Sequence, residues 1–289
     1  MTAPHTGQPK TGQGWHGDLL DLDAYLERTG YAGERRPTLE ALRALQRAHV
    51  TSIPFENFDV MLGVPIALDV ESVQDKLVRR GRGGYCFEHV VLFAAVLERF
   101  GFRFTGLRGR VTLGADKILP ATHALLAVEA EDDGRTWLCD VGFGSGPLEP
   151  IELADGVEAD FEGWRFRVER RPGERGIDDW WLHEHRSDGW LDRHTFTLVP
   201  QYTIDYVVGS HYVSSHPRSP FVRRPIAQRF AADRQLSLDA AAVTTLRPDG
   251  SRTERKLEAD ELGACLAEEF GIALSPEDVA GLAARFDTA

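Results

Sequence analysis

One run of the chain concentrates the residue types that nucleophilic chemistry needs: Arg79-Arg80-Gly81-Arg82-Gly83-Gly84-Tyr85-Cys86-Phe87-Glu88. Its cysteine stands at the head of an apolar stretch that reads as a buried helix. Helix N-terminal amides and nearby cations favour thiolate over thiol, and the thiolate is the attacking species. Gly83 and Gly84 leave room for backbone N–H groups to approach a reacting carbonyl, as an oxyanion hole requires. The plain alternative is a buried, inert cysteine, the commoner fate of a lone one. A phosphate cradle is a weak reading of the same glycines, because neither the Lys-Ser/Thr of a P-loop nor the spacing of a dinucleotide fingerprint is present.

A cysteine nucleophile needs a base, and the base needs an orienting group. His123 heads the segment His123-Ala124-Leu125-Leu126-Ala127-Val128, and Asp140 ends the segment Trp137-Leu138-Cys139-Asp140. Between them, Glu131-Asp132-Asp133-Gly134 signals a hairpin turn. Residues facing each other across an antiparallel hairpin have numbers with a constant sum. A two-residue turn through Glu131 and Asp132 sets His123 directly opposite Asp140, and one through Asp132 and Asp133 sets them one diagonal step apart. Either way both side chains share a face. Cys86, His123 and Asp140 are therefore the candidate catalytic set. The same parity turns Cys139 to the other face as a packing residue. Cys265 falls on an apolar helical stripe with Leu262, Leu266 and Phe270.

Other histidines compete. His89 lies one helical turn beyond Cys86, too close along the axis to leave substrate an approach, and reads as a hydrogen-bonded core or interface histidine. His183-Glu184-His185 sets two imidazoles on one strand face, with His194 further on. No third and fourth ligand at a recognisable spacing accompanies them, so no metal site is expected. Glu88, inside a buried helix, needs a partner, for which Arg82 or a backbone donor is at hand.

The elements that must hold these residues change character along the chain. Helices are expected after the N-cap Thr38, from Asp69 to Val78, and from near Tyr85 to about Phe100, the last apolar around most of its surface. From about Gly101 to Tyr206 the period becomes two, in segments such as Phe102–Val111, His123–Ala130, Gly163–Arg170, Asp178–His185 and His194–Gln201, which suggests an antiparallel sheet or small barrel. Beyond it, His211–Pro217 and Pro225–Ala232 look extended or turn-like. Ala242–Leu257 reads as a hairpin through Asp249-Gly250, and Asp260–Phe270 reads as a helix. The layout is α+β: a helical bundle over 1–100, a β-barrel over 101–206 and an α/β segment over 207–289.

At 289 residues the chain is long enough to bury a shielded site. Against 33 Lys+Arg stand 45 Asp+Glu, a net charge of −12 that argues against a general nucleic-acid or anionic-membrane binder. Any anionic ligand must be met by a local cationic pocket. The three cysteines form neither a disulfide framework nor a zinc module, which points to a reducing cytoplasm. The N-terminus has no apolar core of a secretory signal and reads as a loose tail to about Gly14. The longest apolar run, Val90–Leu97, is far too short to span a bilayer.

The motif Arg82-Gly83-Gly84-Tyr85-Cys86-Phe87-Glu88 resembles the Arg-Gly-Gly-x-Cys-x-Glu signature of the arylamine N-acetyltransferases. Ser52-Ile53-Pro54-Phe55-Glu56-Asn57-Phe58 is similar to that family's N-terminal box. Thr122-His123 and Asp140-Val141-Gly142-Phe143-Gly144 resemble its histidine and aspartate boxes, and Tyr212–Phe221 a later segment. The resemblance implies a helical bundle, a β-barrel and an α/β lid, with the first two arranged as in a cysteine protease. It implies a triad of Cys86, His123 and Asp140, which agrees with the hairpin parity. It also implies acetyl-CoA as donor, an arylamine or hydrazine as acceptor, a ping-pong cycle through a thioester on Cys86, and no metal. Phe143 matches a position that lines the acceptor pocket. Thr122, Tyr212 and Ser219 match positions close to coenzyme A, and Arg218, Arg223 and Arg224 are cations available for its phosphates or for a solvated face. The protein is expected as a monomer or homodimer.

Three rivals stand beside this reading. The same triad serves amide synthases of the family, which close macrolactams from a carrier-protein-bound acyl chain. It would also serve a cysteine hydrolase or transglutaminase-like enzyme. A ligand-binding protein with an inert Cys86 is the non-catalytic case.

Overall fold

A computed structural model describes residues 14–286, and the loose tail expected before Gly14 lies outside them. α1 (Leu22–Thr29) starts on the Asp21 side chain, which accepts from Ala24 N. α2 (Leu39–Ser52) starts on Thr38, whose side chain accepts from Ala41 N, as an N-cap should. A two-residue strand β1 (Phe55–Glu56) and a single turn α3 (Phe58–Met61) follow. α4 (Val70–Gln74) is capped by Asp69 and runs on as a π-helical turn over Asp75–Arg79, together filling the helix expected from Asp69. α5 (Cys86–Phe100) is the central helix. Every residue in it except Glu98 and Arg99 is buried, and Gly101, at φ 85°, closes it. That glycine supplies the left-handed conformation that a side chain disfavours.

Eight strands then form a nearly closed antiparallel barrel: β2 (Arg103–Val111), β3 (His123–Glu129), β4 (Thr136–Cys139), β5 (Ile151–Glu152), β6 (Glu158–Phe161), β7 (Trp164–Arg171), β8 (Asp179–Arg186) and β9 (Gly189–Phe196). Their order is β5-β4-β3-β2-β9-β8-β7-β6. β9 lies earlier than the expected His194–Gln201 segment, because Arg186 pairs with Gly189 across a tight turn and draws the strand forward.

Leu126 faces Cys139 in the β3–β4 ladder, which is the register of a turn through Asp132 and Asp133. The turn itself is wider than two residues, since the ladder ends at Glu129 facing Thr136. The loop between is held by other partners. Leu39 N donates to Asp132 Oδ1 at 2.8 Å, Glu131 N to Pro37 O at 2.7 Å, and Arg135 N to Asp133 Oδ1 at 2.9 Å. The hairpin tip is thus docked against the start of α2.

The segment His211–Pro217, expected to be extended, is helical as far as Ser215: α6 (Thr203–Ser215) covers it. Its β-favouring residues are overruled by a start signal upstream and by packing. Tyr202 N donates to Asp205 Oδ2 at 2.9 Å, Tyr206, Gly209, Ser210 and Val213 are buried, and the helix stops at His216 ahead of Pro217. Gly209 is obligatory there, because a Cβ would lie 2.5 Å from the Phe87 ring of α5.

The remaining strands, β10 (Ile226–Phe230), β11 (Gln235–Asp239), β12 (Ala242–Leu246) and β13 (Arg252–Lys256), make a second antiparallel sheet with β1 at its edge. β12 and β13 form the hairpin expected through Asp249-Gly250. α7 (Leu262–Cys265) continues as a π-helical turn to Phe270, and α8 (Pro276–Ala283) ends the fold. A small core joins Phe58 and Met61 of α3 to Leu236, Leu238, Leu266 and Phe270. The N-terminal box is therefore pinned to the C-terminal sheet. Among the described residues, no helix is long and apolar enough to cross a membrane.

Candidate active site

Cys86 is the first residue of α5, buried at 5% exposure, with its thiol turned to the Thr122 carbonyl oxygen at 3.5 Å. The chain reaches this point through glycines that nothing larger can replace. A Cβ on Gly83 would lie 2.1 Å from Pro54 O, and one on Gly84 2.8 Å from Glu88 Oε2. Of the two amides expected to face a reacting carbonyl, that of Gly84 is engaged within the protein. Gly84 N donates to Pro54 O at 3.4 Å while Gly84 O accepts from Glu56 N at 2.8 Å. The glycines serve close packing of the turn on the Pro54-Phe55-Glu56 segment.

Two of the three arginines expected to lend the cysteine a positive field are spent on acids. Arg82 is buried in ion pairs with Glu56 at 2.7 Å and Asp59 at 2.9 Å, and Arg80 pairs with Asp75 at 2.9 Å. Glu88 takes Lys76, not Arg82, at 2.8 Å, and its other oxygen accepts from Tyr85 N at 3.0 Å, the backbone donor expected. Burial pushes the Glu88 carboxyl up to about 7 against the pull of Lys76. This carboxylate cap fixes the first turn of α5.

Positive charge at the sulfur comes instead from His123. Its Nε2 lies 2.9 Å from Asp140 Oδ1, both groups fully enclosed. Burial alone would strip the imidazole of its proton. The Asp140 carboxylate outweighs burial and, with the Cys86 sulfur, pushes the ring up to about 10. Asp140 responds in kind: burial would raise it, but the charge and hydrogen bonds of the histidines hold it well below the usual carboxylate range. Since Nε2 faces Asp140, Nδ1 is the nitrogen left for the sulfur.

Asp140 has a second partner that sequence reading missed. His194 Nε2 reaches Asp140 Oδ2 at 2.9 Å, and the His123 and His194 rings lie 5.0 Å apart. Burial drives His194 down to about 4, so it is a neutral donor. His194 comes from β9, two strands from β3, and the two rings meet because Gly109 of β2, paired with both His123 and Phe196, puts no side chain between them. Parity across β2 is the signal that would have found it. His183 and His185 do not share its surroundings: His183 is buried against Asp192 at 2.7 Å and His185 is exposed beside Trp190.

Phe143 packs edge-on to His123 at 5.2 Å, and the fully buried Arg193 guanidinium lies 4.0 Å from its ring centroid. Arg193 is anchored by Glu184, Ser145 Oγ at 3.0 Å and Gly146 O at 3.2 Å, so it braces the 143–146 segment from below. Gly142 touches the Cys86 backbone, since a Cβ there would lie 2.7 Å from Cys86 Cα. Of the other expected contacts, Thr122 reaches the thiol. Tyr212 stacks on His216 at 4.4 Å, and the Ser219 hydroxyl donates to Val213 O at 2.6 Å, both beyond the centre of α6. Arg224 pairs with Asp239 and Arg223 Nε donates to Pro217 O at 2.9 Å. Cys139 and Cys265 are buried with raised thiols, as packing residues are.

A cavity of about 380 Å³, in the range of small-ligand sites, opens between the 63–68 segment and α6. Its wall residue Ser210 meets the Tyr85 hydroxyl at 2.5 Å, one residue from Cys86.

Residues 38–279 match the N-acetyltransferase family. The arylamine N-acetyltransferase of Mycobacterium tuberculosis is 38% identical over 258 residues, 88% of this chain and 89% of that one. The crystal structure of the Nocardia farcinica arylamine N-acetyltransferase superposes with a TM-score of 0.93 at 53% identity, over 96% of this chain and 98% of that one. The Mycobacterium marinum arylamine N-acetyltransferase, solved in complex with CoA, superposes at 0.84 with 36% identity, over 92% and 98%. Sequence motifs, barrel and site geometry agree with these likenesses, and the chain belongs to the arylamine N-acetyltransferase family.

Proposed function

We propose that the protein moves an acetyl group from acetyl-CoA to the nitrogen of an arylamine or arylhydrazine through a thioester on Cys86. The observation that carries this reading is a helix-head thiol whose sulfur acts on the His123 imidazole, itself held by a buried carboxylate. The Cys86 sulfur attacks the thioester carbonyl, a tetrahedral oxyanion forms, and coenzyme A leaves with a proton from His123. The amine then attacks the acetyl-enzyme, His123 takes the proton that the nitrogen sheds, and the sulfur leaves. Asp140 keeps the imidazole in one tautomer throughout and stabilises its cation. A cation beside the sulfur stabilises negative charge there.

The donor follows from the family and from the CoA bound by the M. marinum relative. Thr122, Tyr212 and Ser219 are assigned to the coenzyme side and Phe143 to the acceptor, where an aromatic ring offers a stacking face. Arg218 and Arg223 are the cations offered to the coenzyme's phosphates, while Arg224 is committed to Asp239. On this reading the bundle over 1–100 supplies the nucleophile, the barrel over 101–206 the base and acid, and 207–289 the lid. A reducing cytoplasm suits an enzyme that depends on a free thiol.

The test is mass spectrometry after mixing with acetyl-CoA. The expected result is a burst of coenzyme A equal to the enzyme present and an acetyl adduct on the Cys86 peptide. A protein that releases no coenzyme A without the amine, or that loads only from a carrier protein, overturns the acetyl-CoA assignment.

His194→Phe removes one of the two hydrogen bonds on Asp140. A bond to a charged group contributes about 1.5–3 kcal/mol, so kcat is expected to fall roughly 10- to 100-fold with KM little changed. His194→Gln, which keeps a donor at the Nε2 position, should recover part of the loss. Steady-state kinetics with kcat unchanged in the Phe variant would remove His194 from the site.

A further inference from the structure

Three buried polar side chains behind the nucleophile are not used by the chemistry above. Tyr25 of α1 and His49 of α2 are fully buried, and His89 of α5 is 2% exposed. They form a line: Tyr25 Oη lies 3.0 Å from His49 Nδ1, and His49 Nε2 lies 2.9 Å from His89 Nδ1. His89 Nε2 then sits 3.2 Å from Pro54 O and 3.1 Å from Gly84 O.

The protons on this line have one allowed order. Two carbonyl oxygens can only accept, so His89 Nε2 carries a hydrogen and donates to both. A neutral His89 then accepts at Nδ1, which makes His49 Nε2 the donor and His49 Nδ1 the acceptor. The Tyr25 hydroxyl closes the line as donor. Both rings are neutral: burial drives His49 well below its ordinary value and His89 down to about 4, and the cations that face them, Arg28 and Lys76, oppose any added charge. Phe55 lies parallel to His89 at 6.4 Å and Phe93 meets His49 edge-on at 5.3 Å, which fixes both rings.

The end of the line is what gives it consequence. Gly84 bridges to Phe55, the residue after Pro54, and stands two residues before Cys86. The forked donation from His89 clamps the two chains that cross there, one of them the turn that delivers the nucleophile.

We propose that Tyr25, His49 and His89 are positioning residues: a one-way hydrogen-bond chain that holds the Gly83–Gly84 turn against Pro54 and thereby aims the Cys86 sulfur at His123. This rests on the assignment of Cys86 as nucleophile. A misplacement of about 1 Å at a reacting atom can cost on the order of 100-fold in rate. Loss of the fork is therefore expected to lower kcat and leave KM alone.

The experiment compares His89→Leu with His89→Gln in the full chain. Two rates are followed: acetyl transfer, and carbamidomethylation of Cys86 by iodoacetamide, located by peptide mass spectrometry. The Leu variant should lose at least about 10-fold in both kcat and Cys86 alkylation, with KM within about twofold. The Gln variant, whose amide N–H reaches the same carbonyls, should regain most of both. A folded Leu variant alkylated at the wild-type rate, or a Gln variant no better than Leu, overturns the proposal. Should the Leu variant fail to fold, nitrogen-15 NMR of the wild-type imidazoles decides. Both His49 and His89 are expected as neutral Nε2–H tautomers at pH 7, and an Nδ1–H tautomer or a cation at either overturns the chain. These readouts follow the sulfur's position and the proton order, not the acetyl intermediate. If Cys86 proved not to carry the acetyl group, they would still report on the chain separately.

Discussion

Serine in place of Cys86 is expected to abolish acetyl transfer, by at least about 1,000-fold in kcat/KM, while the fold persists. The replacement is nearly isosteric, and the site around it is closed, with Cys86 itself 5% exposed, so packing changes little. The chemistry changes completely. A hydroxyl holds its proton far more firmly than a thiol, and while it keeps that proton it is a much poorer nucleophile toward a thioester carbonyl. No alkoxide stands at neutral pH in place of the sulfur. Steady-state kinetics beside a circular-dichroism melt checks this. Turnover within tenfold of wild type would withdraw Cys86 as nucleophile.

Asparagine at Asp140 should be almost as severe, about 1,000- to 10,000-fold in kcat, since an amide cannot hold the imidazole in its working tautomer. The damage is compounded here because Asp140 serves two histidines at once, through separate oxygens. One face of the new amide must present N–H to an N–H. His123 also loses the charge that offset its burial and becomes neutral. That change has a stability signature with a definite sign. In the wild type His123 is raised above its unfolded value, so its contribution is complete below about pH 6.5 and drains away as pH climbs toward 10. The wild type should therefore lose stability from pH 7 to 9 more steeply than Asp140→Asn. Denaturant melts across that range read the difference, and parallel slopes together with an unchanged kcat would take Asp140 out of the mechanism.

Much of the site was legible because its members are either contiguous or joined by one hairpin. Gly83, Gly84 and Cys86 announce a tight turn into a helix, and parity along His123–Asp140 survives uncertainty in the turn between them. The actual register was one of the two anticipated, even though Asp132 and Glu131 left the turn to dock on α2. What was hidden depends on contacts between distant segments. Lys76 reaches Glu88 only because α4 packs on α5, whereas the nearer Arg82 is taken by Glu56 and Asp59. His194 needs the strand order β3-β2-β9, which no local pattern states. β1 joins a sheet whose other strands lie some 170 residues later, for example Phe55 against Gln228. α6 escapes local reading for a different reason: valine and tyrosine favour strands, and the start signal at Tyr202–Asp205 together with packing against α5 makes the segment a helix.

The contact between Gly142 and the Cys86 backbone has a broader meaning. Sulfur and imidazole arrive on separate layers, one helical and one stranded, and at this seam nothing stands between the layers but hydrogen. Parting them by the width of a methyl group takes the Cys86 sulfur away from the His123 ring while every helix and every ladder keeps its own hydrogen bonds. Catalytic turnover is thus a finer gauge of how these layers seat on one another than any measure of helix or sheet content.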